Sequence, residues 1–577
     1  MSRYPDLPNT DLLERIPLSA RVVLDVGCNG GALGMAYRRF NPRALLLGIE
    51  PDPDAAELAA QRLNRVAAVD VERDPLPFAL DRPIDCIVYG DVLEHLRDPW
   101  AVIRRHAEVL SDDGTMVICV PNVQHWSFAE RLLRGTWKYE PQGLLDETHL
   151  RWFSLDSMRE GLQAAGLVPH DVRPRIFDAD KAQAFATAIA PALRNLGVDP
   201  SIYAQRAAPL QYIWRVLKQP RQMLSVASSM LPPVGGVSHV RVVYPMQALR
   251  SDPGVLTQIG ASEIVRPIPD TPHVFILHRP LLSGEQGAKV IGKLLSEGWV
   301  IVTEFDDHPD HFGMLDAADQ LAFSGVHAVQ VSTPALATVL RAHNPEVAVF
   351  PNTIRALPEP RNFLDPQVLT VFFGALNRER DWAPLIPVLN EVAQKSGDRL
   401  RFSVVHDQGF FEALHSPHKQ FAPTCDHETY LGLLGQCEIS LMPLADTPFN
   451  RAKSDLKFIE AGACRVAAVA SHVTYGDSIE DGRTGLLFHG ADELRDRLLR
   501  LVAMPELART LGDAARQYVA GERMLAYQVA QRIAWYRSLW ARREELNRAL
   551  QARLAELPTN PAAAPVMAAQ PSSLIAR

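Results

Sequence analysis

The chain has 577 residues, 47% of them hydrophobic and 22% charged, with a formal net charge of -8 at pH 7. That length demands two or three hydrophobic cores, and the mildly acidic balance excludes a dedicated nucleic-acid binder, which would present a basic face. Six cysteines (Cys28, Cys86, Cys119, Cys425, Cys437, Cys464) form no C-x-x-C pair and have no histidine at ligand spacing, so reduced thiols and no metal ligands are predicted.

At its start, MSRYPDLPNTDLLERI has no basic stretch followed by an apolar core, and no run reaches membrane-span length; a cytoplasmic protein without a transmembrane segment is predicted. The first strong signal is VVLDVGCNGGALG, Val22 to Gly34, where an apolar run closes on Asp25 and breaks into a glycine-rich turn. This reads as a strand feeding a ligand loop, with Gly27 and Gly31 turning the backbone and a helix beginning near Ala32. Strand and helix then alternate through ALLLGIE, AAELAAQRL, VAAVDV, IDCIVYGDVL and TMVICVPN. The pattern predicts an α/β fold with a doubly wound parallel sheet and a ligand beyond the carboxyl ends of its strands. Asp25, Glu50, Asp70 and Asp91 each end a strand and converge on that rim.

A G-x-G-x-x-G dinucleotide fingerprint fails here, because positions 29 and 32 hold Asn29 and Ala32. D-x-G-x-x-x-G, from Asp25 to Gly31, instead resembles motif I of class I S-adenosylmethionine-dependent methyltransferases, with Asn29, a residue tolerant of positive φ, in place of the usual middle glycine. GDVLEHLRDP, LSDDGTMVICVPN and DETHLRWFSLDSMREGLQAAGL resemble successive segments of the ubiquinone-biosynthesis type. The resemblance implies S-adenosylmethionine as cofactor, bound by Asp25, Gly27, Asn29, Gly31 and Asp91, with Glu50 on the ribose hydroxyls and Asp70 beside the adenine. Methyl transfer to a hydroxyl needs positioning and a base. His95 and His149 are the candidates, and Glu94 and His95 equally suit a cap on the helix that follows.

From about Arg173 to Val234 strand signals fade and prolines recur, which predicts a helical connector over 173–235 after a methyltransferase domain at 1–172. Within it, PLQYIWRVLKQPRQMLSVASSMLPP sets Trp214, Val216 and Leu217 among Arg215, Lys218 and Arg221. Packing against a neighbouring domain is the stronger reading, with peripheral membrane contact the weaker. A second alternating pattern starts at SHVRVVYPMQAL and runs through HVFILHR, WVIVTEFDD, AVQVSTPALATVL and EVAVFPN; a third runs from LTVFFG to RVAAVAS. Two Rossmann-like lobes in tandem, 236–365 and 366–545, suggest the GT-B architecture of glycosyltransferases.

FNRAKSDLKFIEAGACRVAAVAS followed by DGRTGLLF resembles the donor-binding region of retaining glycosyltransferases. Glu460 matches the second glutamate of that region, which binds the ribose, whereas the first falls on Ala452. The run N-x-x-K-S-x-x-K-x-x-E, Asn450 to Glu460, itself resembles a subgroup of bacterial polysaccharide glycosyltransferases. The resemblance implies a nucleotide-sugar donor bound by Gly374, Arg380, Lys453, Ser454, Lys457 and Glu460, with Lys453 and Lys457 sharing a helix face toward the diphosphate. EFDDHPDHF supplies acids in the first lobe; Asp306 and Asp307 are read as acceptor-side or catalytic groups, and a helix cap suits them equally. Val529, Ile533, Tyr536 and Trp540 recur at helical spacing as core, and 546–577 is predicted to be a disordered tail.

These readings combine into a bifunctional transferase that glycosylates and O-methylates a bacterial surface glycan or glycoprotein, with a glycan or glycolipid acceptor. One alternative is a methyltransferase with a non-catalytic, glycan-binding GT-B lobe, motivated by Ala452. Another is a methyltransferase for a small molecule or lipid.

Overall fold

Apolar runs with glycine or an acid at their ends become the parallel strands that the sequence predicts. The structure, a computed structural model, describes residues 5–230, 236–260, 267–312, 314, 320–360 and 367–556. It divides into two units, Met1–Gln222 with Ser251–Gly254, and Met223–Arg250 with Val255–Arg577.

In the first unit, β1 (Val22–Val26), β2 (Leu45–Ile49), β3 (Arg65–Ala67), β4 (Ile84–Gly90), β5 (Leu110–Pro121), β6 (Val168–Arg175) and β7 (Gln211–Leu217) form one sheet in the order β3-β2-β1-β4-β5-β7-β6. β1 is buried along its whole length and runs parallel to β2 and β4, pairing Val26 with Ile49 and with Tyr89. β7 is antiparallel to both β5 and β6, pairing Trp214 with Ile118 and Val172. The order reverses at β1 and β4, the switch point where an open α/β sheet binds its ligand.

Here the predicted helical connector is corrected. Helices do fill 179–207, but 211–217 is a buried strand of the sheet, and β8 (Leu224–Ser229) is the first strand of the next one. The membrane-contact reading of this run fails with it. Trp214 is 2% exposed in the core, and Arg215 is held by Asp171 at 2.7 Å. The stretch YIWRVL has β-branched and aromatic residues in a strand's alternation, and tertiary pairing uses that propensity. No helix among the described residues is long and apolar enough to cross a membrane.

The second unit holds two six-stranded parallel sheets. The first joins β8, β9 (Val255–Ile259), β10 (His273–His278), β11 (Val300–Phe305), β12 (Ala328–Val331) and β13 (Val347–Val349) in the order β13-β12-β11-β10-β8-β9. The second joins β14 (Leu369–Gly374), β15 (Leu400–Val405), β16 (Lys419–Ala422), β17 (Ile439–Met442), β18 (Ala467–Ser471) and β19 (Leu486–Phe488) in the order β16-β15-β14-β17-β18-β19. This is the two-lobed GT-B arrangement. Its first strand is β8 rather than SHVRVV, which is helical from His239 to Ser251.

The chain returns to the first lobe at its end. In helix Val529–Ala541, Tyr536 and Leu539 pack with Val242, Val274 and Val302, and in helix Arg543–Glu556, Leu550 and Leu554 pack with Ile301 and Phe323. The disordered-tail prediction is therefore corrected for 546–556, whose leucines at i, i+4 and i+8 are each 5% exposed or less. Residues 557–577 lie outside those described.

Candidate functional site

The first site lies at the carboxyl ends of β1, β2 and β4. The turn after β1 uses positive φ at Gly27 (71°), Asn29 (47°) and Gly31 (80°), and Gly31 starts helix Ala32–Arg38. A Cβ on Gly27 would fall 2.5 Å from Val92 Cγ2, so only glycine fits. Glu50 braces the turn: its Oε2 accepts from Asn29 N–H at 2.8 Å and its Oε1 from Asp52 N–H at 3.1 Å. Asp25 and Glu50 are both buried; desolvation, with Glu50 adding, pushes the Asp25 carboxyl up to about 7.

Asp70 lies three residues past β3, accepting from Glu72 N–H at 2.9 Å. Asp91 follows β4 in a left-handed conformation, φ 58°, and accepts from Gln211 Nε2. Burial pushes Asp91 up to about 6. All of these line one cavity of about 770 Å³, except Gly31, which only shapes its turn.

The same cavity reaches Glu94, His95, Asp146, Thr148 and His149. The Thr148 hydroxyl donates to Asp146 Oδ1 at 2.7 Å, so it accepts from His95 Nδ1–H at 2.8 Å. That chain of bonds leaves Nε2 as the acceptor nitrogen of His95. The His95 and His149 rings meet edge to face at 4.8 Å. Glu94, His95 and His149 bring donor atoms within 4.8 Å of one another, a set able to take a cation that sequence spacing does not reveal. Gln211 and the Asp146–Thr148 pair were likewise missed. Gln211 sits on the strand read as connector, and Thr148 carries no signal apart from its neighbours in DETH.

In the second unit the predicted donor residues Lys453, Lys457 and Glu460 come together beside Gly374 at the end of β14. Gly374 ends β14, and its carbonyl accepts from Lys457 Nζ. A Cβ there would fall 2.6 Å from Tyr430. Burial pulls the Lys457 ammonium down to about 8. Glu460, 4% exposed, accepts from His427 at 2.8 Å, and Ser454 Oγ accepts from Asn352 Nδ2 at 2.7 Å.

Two expectations change. Lys453 and Lys457 do not share a helix face, since the helix is Leu456–Ala463 and Lys453 precedes it, over the Phe449 ring at 4.3 Å. Arg380 is exposed, whereas Arg378 reaches the site, donating to Asn450 Oδ1 at 3.0 Å and to Asp381 at 3.1 Å. Helix Glu379–Trp382 turns the intervening residues outward, which one-dimensional alignment with the usual cation does not show.

In the first lobe, Asp306 and Asp307 follow β11. Asp306 accepts from Arg279 at 2.6 Å, and Asp307 pairs with Lys453 at 3.2 Å. Both are thus committed to cations, and Asp307 Oδ1 also accepts from His308 N–H at 3.1 Å, at the start of the turn Pro309–Phe312. His278 ends β10 with neither ring nitrogen hydrogen-bonded to another of the described residues, and burial pulls it down to about 4.

Comparison with known families finds a match within each unit. Residues 3–172 match the family described as "Methyltransferase domain", and residues 367–504 match "Glycosyl transferases group 1". The chain joins a methyltransferase domain to a group 1 glycosyltransferase domain. The methyltransferase domain is 27% identical over 176 residues to a ubiquinone biosynthesis O-methyltransferase of Cereibacter sphaeroides, covering 29% of this chain and 68% of that enzyme. It is 29% identical over 136 residues to the enzyme of that description from Neisseria meningitidis, covering 57% of it. Similar solved structures include a mutant of S. aureus TarM, TM-score 0.36 at 13% identity, covering 46% of this chain and 55% of that one. They also include the sucrose-phosphate synthase of Thermosynechococcus elongatus, TM-score 0.41 at 16% identity, covering 55% of this chain and 99% of that one.

Proposed function

We propose that this chain is a cytoplasmic bifunctional transferase that adds a sugar from a nucleotide donor to a bacterial surface glycan or glycoprotein and O-methylates a hydroxyl of the same product. One observation carries the methylation half: a single cavity joins Asp25, Glu50, Asp70 and Asp91 to a histidine oriented by Thr148. S-adenosylmethionine, when bound, supplies the methyl group.

The chain's residues support that cofactor. Asp25 and Asp91 offer carboxylates to an ammonium, Glu50 faces a ribose diol, and the left-handed turn at Gly27 admits a ligand against the backbone. His95 Nε2 takes the acceptor's proton, and Asp146 steadies the resulting imidazolium through Thr148. In the glycosyltransferase domain, Lys453, Lys457 and Arg378 face the diphosphate and Glu460 the ribose. Joining the two domains in one chain raises the effective concentration of one product for the next step.

The test incubates the full chain with S-adenosylmethionine, a panel of nucleotide sugars and a glycan acceptor fraction, then reads sugar and methyl additions by mass spectrometry. Methylated, sugar-extended product is expected. Asp25→Ala should abolish the methyl alone. Methyl-sugar content unchanged in a strain carrying Asp25→Ala refutes the reading. A second reading, methylation of a small molecule or lipid, is favoured by the ubiquinone biosynthesis relatives. It predicts methylated phenols and unmodified glycan in the same assay.

A further inference from the structure

The carboxylate read as the donor's ribose ligand is not held by its own lobe alone. Glu460, on helix Leu456–Ala463, is 4% exposed, and its Oε1 accepts from His427 Nε2–H at 2.8 Å. His427 is buried too and opens helix His427–Leu434, whose N-cap Asp426 accepts from Thr429 N–H at 2.8 Å. On its other side the imidazole meets the first lobe: Tyr244 Oη lies 3.2 Å from Nδ1, and a Cβ on Gly236 would fall 2.9 Å from Cδ2. Tyr244 begins helix Tyr244–Ser251, and the Arg355 guanidinium lies over its ring at 5.4 Å.

The direction of each bond follows from what the groups can do. A carboxylate only accepts, so Nε2 of His427 carries the proton and Nδ1 presents a lone pair. Tyr244 fills that place as donor; burial raises its phenol above the ordinary value, which keeps the proton there to be given. Phenol, imidazole and carboxylate thus form one line of hydrogen bonds that runs from the first lobe to Glu460. Bonds in such a line polarise one another and hold each member to one orientation. His427 takes Oε1, which leaves Oε2 to a ribose hydroxyl. A glutamate side chain has several rotatable bonds, and aligning it beforehand removes that ordering cost from ligand binding.

We infer that Tyr244 and His427 are positioning residues for glycosyl transfer: a phenol of the first lobe orients the imidazole that aligns Glu460 for the donor's ribose. The inference rests on the reading of Glu460 as the ribose ligand. It goes further in making ribose recognition by the second lobe depend on a side chain of the first. A packing role for the same aromatic cluster, with the His239 ring 5.6 Å from Tyr244 and 6.0 Å from His427, predicts something different. In that case every ligand of the site would weaken alike.

Full-length protein is titrated by calorimetry with UDP, GDP, ADP and CDP, and the tightest of them is compared with its 2′-deoxy and 3′-deoxy analogues. Loss of at least one ribose hydroxyl should weaken binding to the unaltered protein about tenfold or more, as for a hydrogen bond to a charged group. Tyr244→Phe, which removes only the phenol oxygen, should shrink that difference about threefold, and His427→Leu should shrink it to less than about twofold. His427→Gln, whose amide can donate from the place of Nε2, should retain part of it. Affinity for the deoxy analogue should be unchanged in all three variants, which certifies the fold of the site.

Parent and analogue that weaken together in the variants would make both residues structural and overturn the inference. Parent binding that tightens in Tyr244→Phe or His427→Leu would also overturn it, since His427 would then compete with the ribose for Glu460. Glu460→Ala keeps the inference apart from the reading beneath it. If that variant erases the hydroxyl difference while Tyr244→Phe and His427→Leu keep it whole, the ribose reading stands and the relay falls. If Glu460→Ala keeps the difference, if the unaltered protein shows none, or if no diphosphate binds, the ribose reading falls and the relay falls with it.

Discussion

Asp25→Asn is expected to make the ligand-free methyltransferase domain more stable at pH 8 and unable to bind its cofactor well. Burial beside Glu50 raises the Asp25 carboxyl from 3.8 to about 7. Between those values the folded state binds more protons than the unfolded one, so stability falls as pH rises through the window and the full penalty is present above pH 7. A difference of that size corresponds to about 4 kcal/mol at ~1.4 kcal/mol per tenfold change, an upper bound. Asparagine keeps the shape and removes the charge. Thermal unfolding of the transition that S-adenosylhomocysteine shifts should rise by up to about 10 °C at pH 8. The gain should shrink to well under about 1 kcal/mol near pH 4, where Asp25 is protonated in the folded state and about half protonated in the unfolded one. Calorimetric affinity for S-adenosylhomocysteine should drop at least about tenfold, through loss of the ammonium's partner. A variant that is no more stable at pH 8, or whose gain is the same at pH 4, refutes the reasoning.

Lys457 is pulled from 10.5 to about 8 by burial, so its charge is lost as pH rises through that value; nucleoside diphosphate affinity should weaken from pH 7 to pH 9, with Lys457→Met showing a flat profile by calorimetry. Arg378→Ala should weaken the same ligand about tenfold, and Arg380→Ala should leave it unchanged, since only the first contacts Asn450 and Asp381. Leu550→Ala removes a side chain 1% exposed in the first lobe's core and should cost about 2–5 kcal/mol in denaturant unfolding of the second unit, whereas a disordered tail would show no loss.

Much of the architecture could be read from one dimension, because parallel strands buried on both faces are continuous apolar runs with an acid or glycine at their ends. VVLDV, LTVFFG and AAVAS announce themselves in this way. β7 did not, since its chain position after three helices hid that YIWRVL pairs back on β5 and β6. Gln211 was lost with it. The donor site shows a second limit: Arg378 and Arg380 are equal in sequence, and only the helical turn at Glu379 decides which faces Asn450. Ala452 shows a third. It is 4% exposed, packed in the first lobe's apolar cluster, with its carbonyl accepting from Thr333 Oγ1 at 3.0 Å. A glutamate there would have to bury a carboxylate among those apolar side chains, a cost that alanine avoids.

Asp307 brings that last point to a test. With no acid at position 452, the next residue, Lys453, is met by Asp307 at 3.2 Å, and Arg279 lies 3.8 Å from the same carboxylate. The two side chains of the pair are 14% and 19% exposed, so their attraction is only partly screened. A diphosphate that takes Lys453 must displace this carboxylate, and the exchange keeps the local charge nearly constant. Removing the competitor should therefore help the ligand. Asp307→Asn is expected to tighten nucleoside diphosphate binding roughly fivefold, about 1 kcal/mol, with the gain fading at high salt. Sequence reasoning alone places Asp307 among catalytic groups, and that role predicts the opposite signature: slower sugar transfer with diphosphate affinity unchanged or lower. Calorimetry with the diphosphate beside initial rates of transfer separates the two, and weaker binding by Asp307→Asn would reject the competition.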